Sequence, residues 1–207
     1  MGNSGSSALF EVLVVFVLVF AVQVVLAVTD LVRMLFVLAA PLSENPWTIV
    51  TSVYAHAGVD HLLSNAVALV LFGWPVARAT SRVRFHAFFL VAGSFAGVAQ
   101  VLASNALAGF PIVGASPTAG VVGASGAVFA LLGYLLASNR LSSSIGAAFS
   151  LPPWVTYAAF VFVATLVTLA TAQPGVALIA HFVGLLFGLV AGRLNVLSVS
   201  RKPSKRR

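Results

Sequence analysis

Six stretches of roughly twenty residues in this chain are nearly free of charge, and that pattern decides what it can fold into. They run over 8–28, 61–79, 84–104, 121–138, 154–172 and 177–195. About 20 apolar residues in a helix are needed to cross the hydrocarbon core of a bilayer. In that solvent the backbone must satisfy its own hydrogen bonds, so each stretch is predicted to be a transmembrane helix. Composition agrees: 60% of the 207 residues are hydrophobic and 7% are charged, against about 25% charged in a soluble domain. The first stretch has no basic lead-in of the kind a cleavable signal carries, and is predicted to be a retained span. The predicted fold is all-α: one polytopic membrane domain over 1–198 and a basic tail over 199–207.

The connections set the orientation. Residues 29–60 hold an apolar run interrupted by Pro41, Ser43, Glu44, Asn45 and Pro46. This suits a partly embedded loop, with Trp47 and Tyr54 at the headgroups. The 105–120 loop contains Pro111 and Pro117; residues 139–153 contain Arg140 and end on Pro152-Pro153, a breaker before the fifth stretch. Ten of the 11 Lys and Arg residues fall on one side of the predicted bilayer: Arg78, Arg82, Arg84, Arg140, Arg193 and five in the tail. Only Arg33 lies on the other. The positive-inside rule makes the basic side cytoplasmic and places both termini there. The net charge of +7 is therefore a topology signal for a cell-membrane protein, and no nucleic-acid partner is expected. Cysteine is absent, which excludes disulfides, thiolate chemistry and Cys-ligated metal. No metal or cofactor is expected.

Three of the apolar stretches carry polar clusters that hydrocarbon would reject without a reason. The second opens with His61 and Asn65, one turn apart on one helix face. The fourth holds Ser125 in Gly-Ala-Ser-Gly (123–126), and the sixth holds His181 in Ala-His-Phe-Val-Gly. All three stretches run from outside to inside, so the clusters share one depth near the outer surface. Ser125 becomes a nucleophile only if a base takes its proton. It needs a helix start, where free amides can meet an oxyanion, and Gly123 and Gly126 beside it admit a substrate backbone. His181 is the natural base. Gly184 and Gly188 share its face, Gly192 extends the spacing, and the fourth stretch offers Gly126, Ala130, Gly133 and Ala137 in return. Such small-residue stripes let helices approach closely. His61 and Asn65 can donate toward one point, as an oxyanion hole requires. With no carboxylate in this layer, the expected catalytic group is a Ser125–His181 dyad. A near-copy, Gly-Ala-Ser-Pro (114–117), puts Ser116 in a loop before a proline, and is taken as a decoy. Each cluster alone has a plain structural explanation, as packing patch, carbonyl-bonded histidine or polar anchor; their common depth does not.

These motifs resemble the rhomboid family of intramembrane serine proteases. The likeness runs from Trp47 to about Gly192 and rests on His61-x-x-x-Asn65, on Gly-Ala-Ser-Gly-Ala-Val-Phe-Ala-Leu-Leu-Gly-Tyr (123–134) and on Ala-His-x-x-Gly-Leu-x-x-Gly-Leu (180–189). It implies a six-helix rhomboid-like bundle. It also implies Ser125 as nucleophile, His181 as general base, and an oxyanion hole of His61, Asn65 and the Ser125 backbone amide. His56 matches a further family histidine that shapes the loop and the water supply. Three positions depart from the family pattern: Thr48 follows Trp47 where arginine is common, Ala77 replaces a glutamate, and Phe129 stands where tyrosine is frequent. At i+4 from Ser125, the Phe129 ring is expected to pack on His181.

The favoured function is an intramembrane serine endopeptidase whose partners are the bilayer and transmembrane protein substrates, with its active site toward the outer side. The alternative is a catalytically inactive rhomboid-like protein that binds membrane clients. A channel or transporter would continue the polar residues through the inner halves of the spans, and those halves are apolar.

Overall fold

A computed structural model of the chain describes residues 4–108, 119–138, 152–172 and 176–198. Ser116, Arg140 and the tail 199–207, each used above, lie outside the described residues. Among the described residues eight helices follow in order: α1 (Ser4–Val25), α2 (Leu31–Phe36), α3 (Thr48–Thr51), α4 (Val59–Ala79), α5 (Arg82–Leu107), α6 (Ser125–Ser138), α7 (Pro153–Ala170) and α8 (Leu178–Arg193). Among the described residues the only β pairing is an isolated bridge between Leu38 and Val121. The chain is all-α, as its apolar pattern predicts.

By length and hydropathy α1, α4 and α5 can cross a membrane; α6, α7 and α8 are shorter apolar helices. The predicted fourth stretch began at residue 121, but α6 starts only at Ser125. Residues 119–124 are extended or turned instead. Gly120 and Gly123 there have φ of +141° and +128°, which L-residues rarely adopt, and Val121 pairs with Leu38 in both directions, at 3.0 and 2.8 Å. The 29–60 segment is likewise more ordered than a plain loop, since it contains α2 and α3.

Packing follows composition. On α5 the buried positions Phe85, Phe88, Phe89, Ala92, Gly93, Ala96 and Gly97 form one stripe at helical spacing. Large apolar side chains such as Phe10, Leu18, Phe95, Phe162 and Leu169 are exposed on the outside of the bundle, as a lipid-facing surface would have them. In α4, residues Leu69–Gly73 widen to a π turn just before Pro75, where proline removes a helical donor.

The α6–α8 seam is the tightest feature of the bundle. A Cβ on Gly184 would strike the Gly126 carbonyl, one on Gly188 the Ala130 carbonyl, and one on Gly192 would lie 2.6 Å from the Tyr134 carbonyl oxygen. A Cβ on Gly133 would strike the Leu185 carbonyl in return. The two helices touch backbone to backbone along the predicted glycine stripes. The contacts advance together along both helices, so α6 and α8 run parallel, as the topology required. α7 also packs on α8, where Phe160 and Ala164 share a buried cluster with Ala137, Leu185 and Leu189.

Candidate active site

Ser125 is the first residue of α6, so its amide is among those that no intrahelical carbonyl accepts. The approach to it is fixed from behind, because Gly123 N–H donates to the Ser52 carbonyl at 2.9 Å. Three residues into α8, the parallel seam brings His181 to the same level. Its ring stacks on Phe129, with centroids 4.1 Å apart and planes 18° from parallel, which is the contact expected from the i+4 spacing. His181 Nδ1 is enclosed and has no hydrogen-bond partner, leaving Nε2 as the nitrogen that reaches the cavity. No direct hydrogen bond joins Ser125 to His181 in this structure. Catalytic hydrogen bonds are often long before substrate arrives.

His61 comes from α4. The Ala57 N–H donates to its Nδ1 at 3.3 Å, so the ring proton of the neutral imidazole resides on Nε2. That edge faces Gly123: a Cβ there would lie 2.7 Å from His61 Cε1 and 2.9 Å from Nε2. A donor is thus aimed at the stretch just before Ser125. Asn65 is buried, and its Nδ2 donates to the His61 carbonyl at 2.9 Å; the second amide hydrogen remains to serve the cavity. Asp60, beside His61, is exposed. Ser125, His181, His61, Asn65 and Phe129 all line one cavity of about 560 Å³, together with apolar Val122, Val128 and Ala177. Gly126 is buried on the seam, its added Cβ 2.6 Å from Ala96 Cβ; it serves helix contact rather than substrate access.

His56 lies in the loop between α3 and α4, 2% exposed, its ring near the Tyr54 backbone but with neither nitrogen in a well-formed hydrogen bond. It stands edge-on to Phe16 at 4.7 Å and to His61 at 5.3 Å. Burial first, and the neighbouring His61 second, push its imidazole down to about 4, so it is neutral at ordinary pH. No group of three or more His, Cys, Asp or Glu side chains able to hold a metal is found among the described residues.

Two residues that the motifs did not single out support the site. Gln100 on α5 accepts from the Ala180 N–H at 3.0 Å and donates to Ser104 Oγ at 2.7 Å. It thereby caps the first turn of α8 beside His181. Gln23 on α1 accepts from the His56 N–H at 3.0 Å. Both were visible as polar residues flanked by apolar ones within predicted spans, the same signal that marked Ser125 and the histidines.

Comparison with curated proteins gives no match. The Rhomboid domain model matches residues 43–197, a span that takes in α3 to α8 and every cavity residue named above. That family contains serine proteases and also inactive members. With most of the chain matched and an all-α bundle of apolar helices around the cavity, this protein belongs to the rhomboid family.

Proposed function

We propose that this chain is an intramembrane serine endopeptidase that cleaves transmembrane segments of other membrane proteins. The observation that supports it most is the shared cavity: a hydroxyl, an imidazole and two side-chain donors, from three helices, face one space. In this reading His181 Nε2 takes the Ser125 Oγ proton as Oγ bonds to the scissile carbonyl carbon. The carbonyl electron pair moves to oxygen and is met by the Ser125 amide, His61 Nε2–H and the free Asn65 N–H. Collapse breaks the C–N bond, and the leaving amine takes the proton from His181. Water then repeats the sequence on the acyl ester, giving its proton to His181 and releasing Ser125. A substrate helix hides its peptide bonds in internal hydrogen bonds, so cleavage requires local unwinding and favours helix-weakening residues at the site. The protein is placed in the cell membrane with both termini cytoplasmic and the cavity toward the outer face, on the distribution of Lys and Arg.

A second reading, an inactive client-binding member, draws on the lack of a direct Ser125–His181 hydrogen bond. One experiment decides between them. A fluorophosphonate probe should label the wild type in membranes and should not label Ser125→Ala or His181→Ala. Labelling that survives Ser125→Ala would refute the dyad; an unlabelled wild type would favour the inactive reading.

A further inference from the structure

We propose that Gln23, on α1 and outside the family-matched residues, is a positioning residue for the oxyanion hole, acting through the 56–57 backbone on His61. This rests on the protease reading above. Gln23 is the one amide side chain in α1, whose other polar residues, the serines and Glu11, lie in its first half, and it is 7% exposed. Burying it unpaired would be costly. Its Oε1 accepts the His56 N–H, across 33 residues of sequence. The next amide in the chain, Ala57 N–H, is the one that donates to His61 Nδ1. Two consecutive amides of one loop therefore form a relay: α1 holds the first, and the second holds the imidazole.

The relay decides two properties of His61. The Ala57 bond keeps the proton on Nε2, the edge that abuts Gly123. It also fixes the ring plane, with His56 wedged edge-on between Phe16 of α1 and His61. Without an acceptor on Gln23, the 56–57 peptides are free to rotate, and the Ala57 N–H no longer has to meet Nδ1. His61 then samples the tautomer whose Nε2 accepts instead of donates. Such a tautomer repels an oxyanion. No hydrogen bond joins the relay to Ser125 or His181, on α6 and α8, so the dyad stays in place.

The test uses the full chain in proteoliposomes with a transmembrane substrate. Gln23→Met has a similar reach and no acceptor; Gln23→Glu keeps an acceptor oxygen. Gln23→Met should lower kcat about tenfold with KM within about twofold, a partial loss beside the 10²–10³ of deleting an oxyanion donor. Gln23→Glu should recover most of it. In a His61→Ala background the Gln23→Met effect on kcat should vanish. Independently of turnover, the 15N resonances of His61 should report a single Nε2–H tautomer in the wild type and a mixture in Gln23→Met. An equal loss of kcat in the His61→Ala background, or an unchanged His61 spectrum, would overturn the inference. If Gln23→Met does not fold, Gln23→Asn, one methylene short of His56, takes its place with the same expected spectrum. A wild type without turnover would refute the protease reading alone, and the tautomer measurement would still decide the role of Gln23.

Discussion

Substituting Gly184 by alanine tests whether the α6–α8 seam sets the catalytic geometry. The new Cβ would run into the Gly126 carbonyl, with Gly126 C at 2.9 Å and Cα at 3.1 Å, whereas ordinary contact for a Cβ begins at 3.4 Å. All three atoms are backbone of α6, so no side chain can turn aside. α8 must retreat by roughly 1 Å, a shift large enough to matter for a packed interior. His181 is three residues earlier on the same face and moves with it. A 1 Å misplacement of a catalytic group costs about 10²-fold in rate, or about 2.7 kcal/mol of barrier; overpacking adds about 1–3 kcal/mol of lost stability. The assay is initial-rate cleavage of a fluorogenic transmembrane substrate in proteoliposomes, beside thermal unfolding of the same preparations. Gly192→Ala is the comparison: its Cβ would lie 2.6 Å from the Tyr134 oxygen, on the same seam but two turns farther from His181. It should lose similar stability and keep kcat within about threefold. If Gly184→Ala also keeps kcat within threefold, or both variants lose it equally, the seam does not position His181.

Removing the ring under His181 by Phe129→Leu should lower kcat about 3- to 30-fold, because in the proposed mechanism the stacked face at 4.1 Å would support the imidazolium formed during acylation, and such support is worth about 0.5–2 kcal/mol; Phe129→Tyr keeps the ring and should retain activity in the same cleavage assay. His56 gives a pH signature. Its folded-state value is about 4 against an ordinary 6.5, so between these values the unfolded chain binds a proton that the folded chain refuses. Stability is then full above about 6.5 and falls as pH drops toward about 4; unfolding curves should show a shallower acid loss for His56→Phe than for the wild type.

The helices were legible because hydrocarbon imposes a length and a polarity that sequence displays directly. The glycine stripes were legible too: Gly184, Gly188 and Gly192 at helical spacing predicted the face that meets Gly126, Ala130 and Gly133. What was not legible is local backbone conformation where tertiary contacts override hydropathy. Residues 121–124 read as membrane helix, yet the bridge to Leu38 and the Ser52 carbonyl draw them out of it. The consequence is favourable for the site, since delaying the helix to Ser125 leaves that residue's amide free. Gln23 and Gln100 were missed for a different reason. A polar residue in an apolar run announces that it has a partner but not which one, and their partners are backbone amides of distant segments with no motif of their own.

The cavity gathers the starts of three helices. His61 is the third residue of α4, Ser125 the first of α6 and His181 the fourth of α8. A helix start presents unpaired N–H groups and the positive end of the macrodipole. An apolar bundle with four acidic residues in the whole chain, none of them lining this cavity, can thus favour a developing negative charge without importing a cation. This bears on the dyad's lack of a carboxylate. Where a triad uses an acid to orient its histidine, α8 holds His181 by the Gly184–Gly126 contact below, the Gln100 cap on Ala180 above and the Phe129 face beside it. On the proposed protease reading, orientation comes from helix packing and charge stabilisation from helix ends, so a cavity with no carboxylate in its lining would still support acyl transfer.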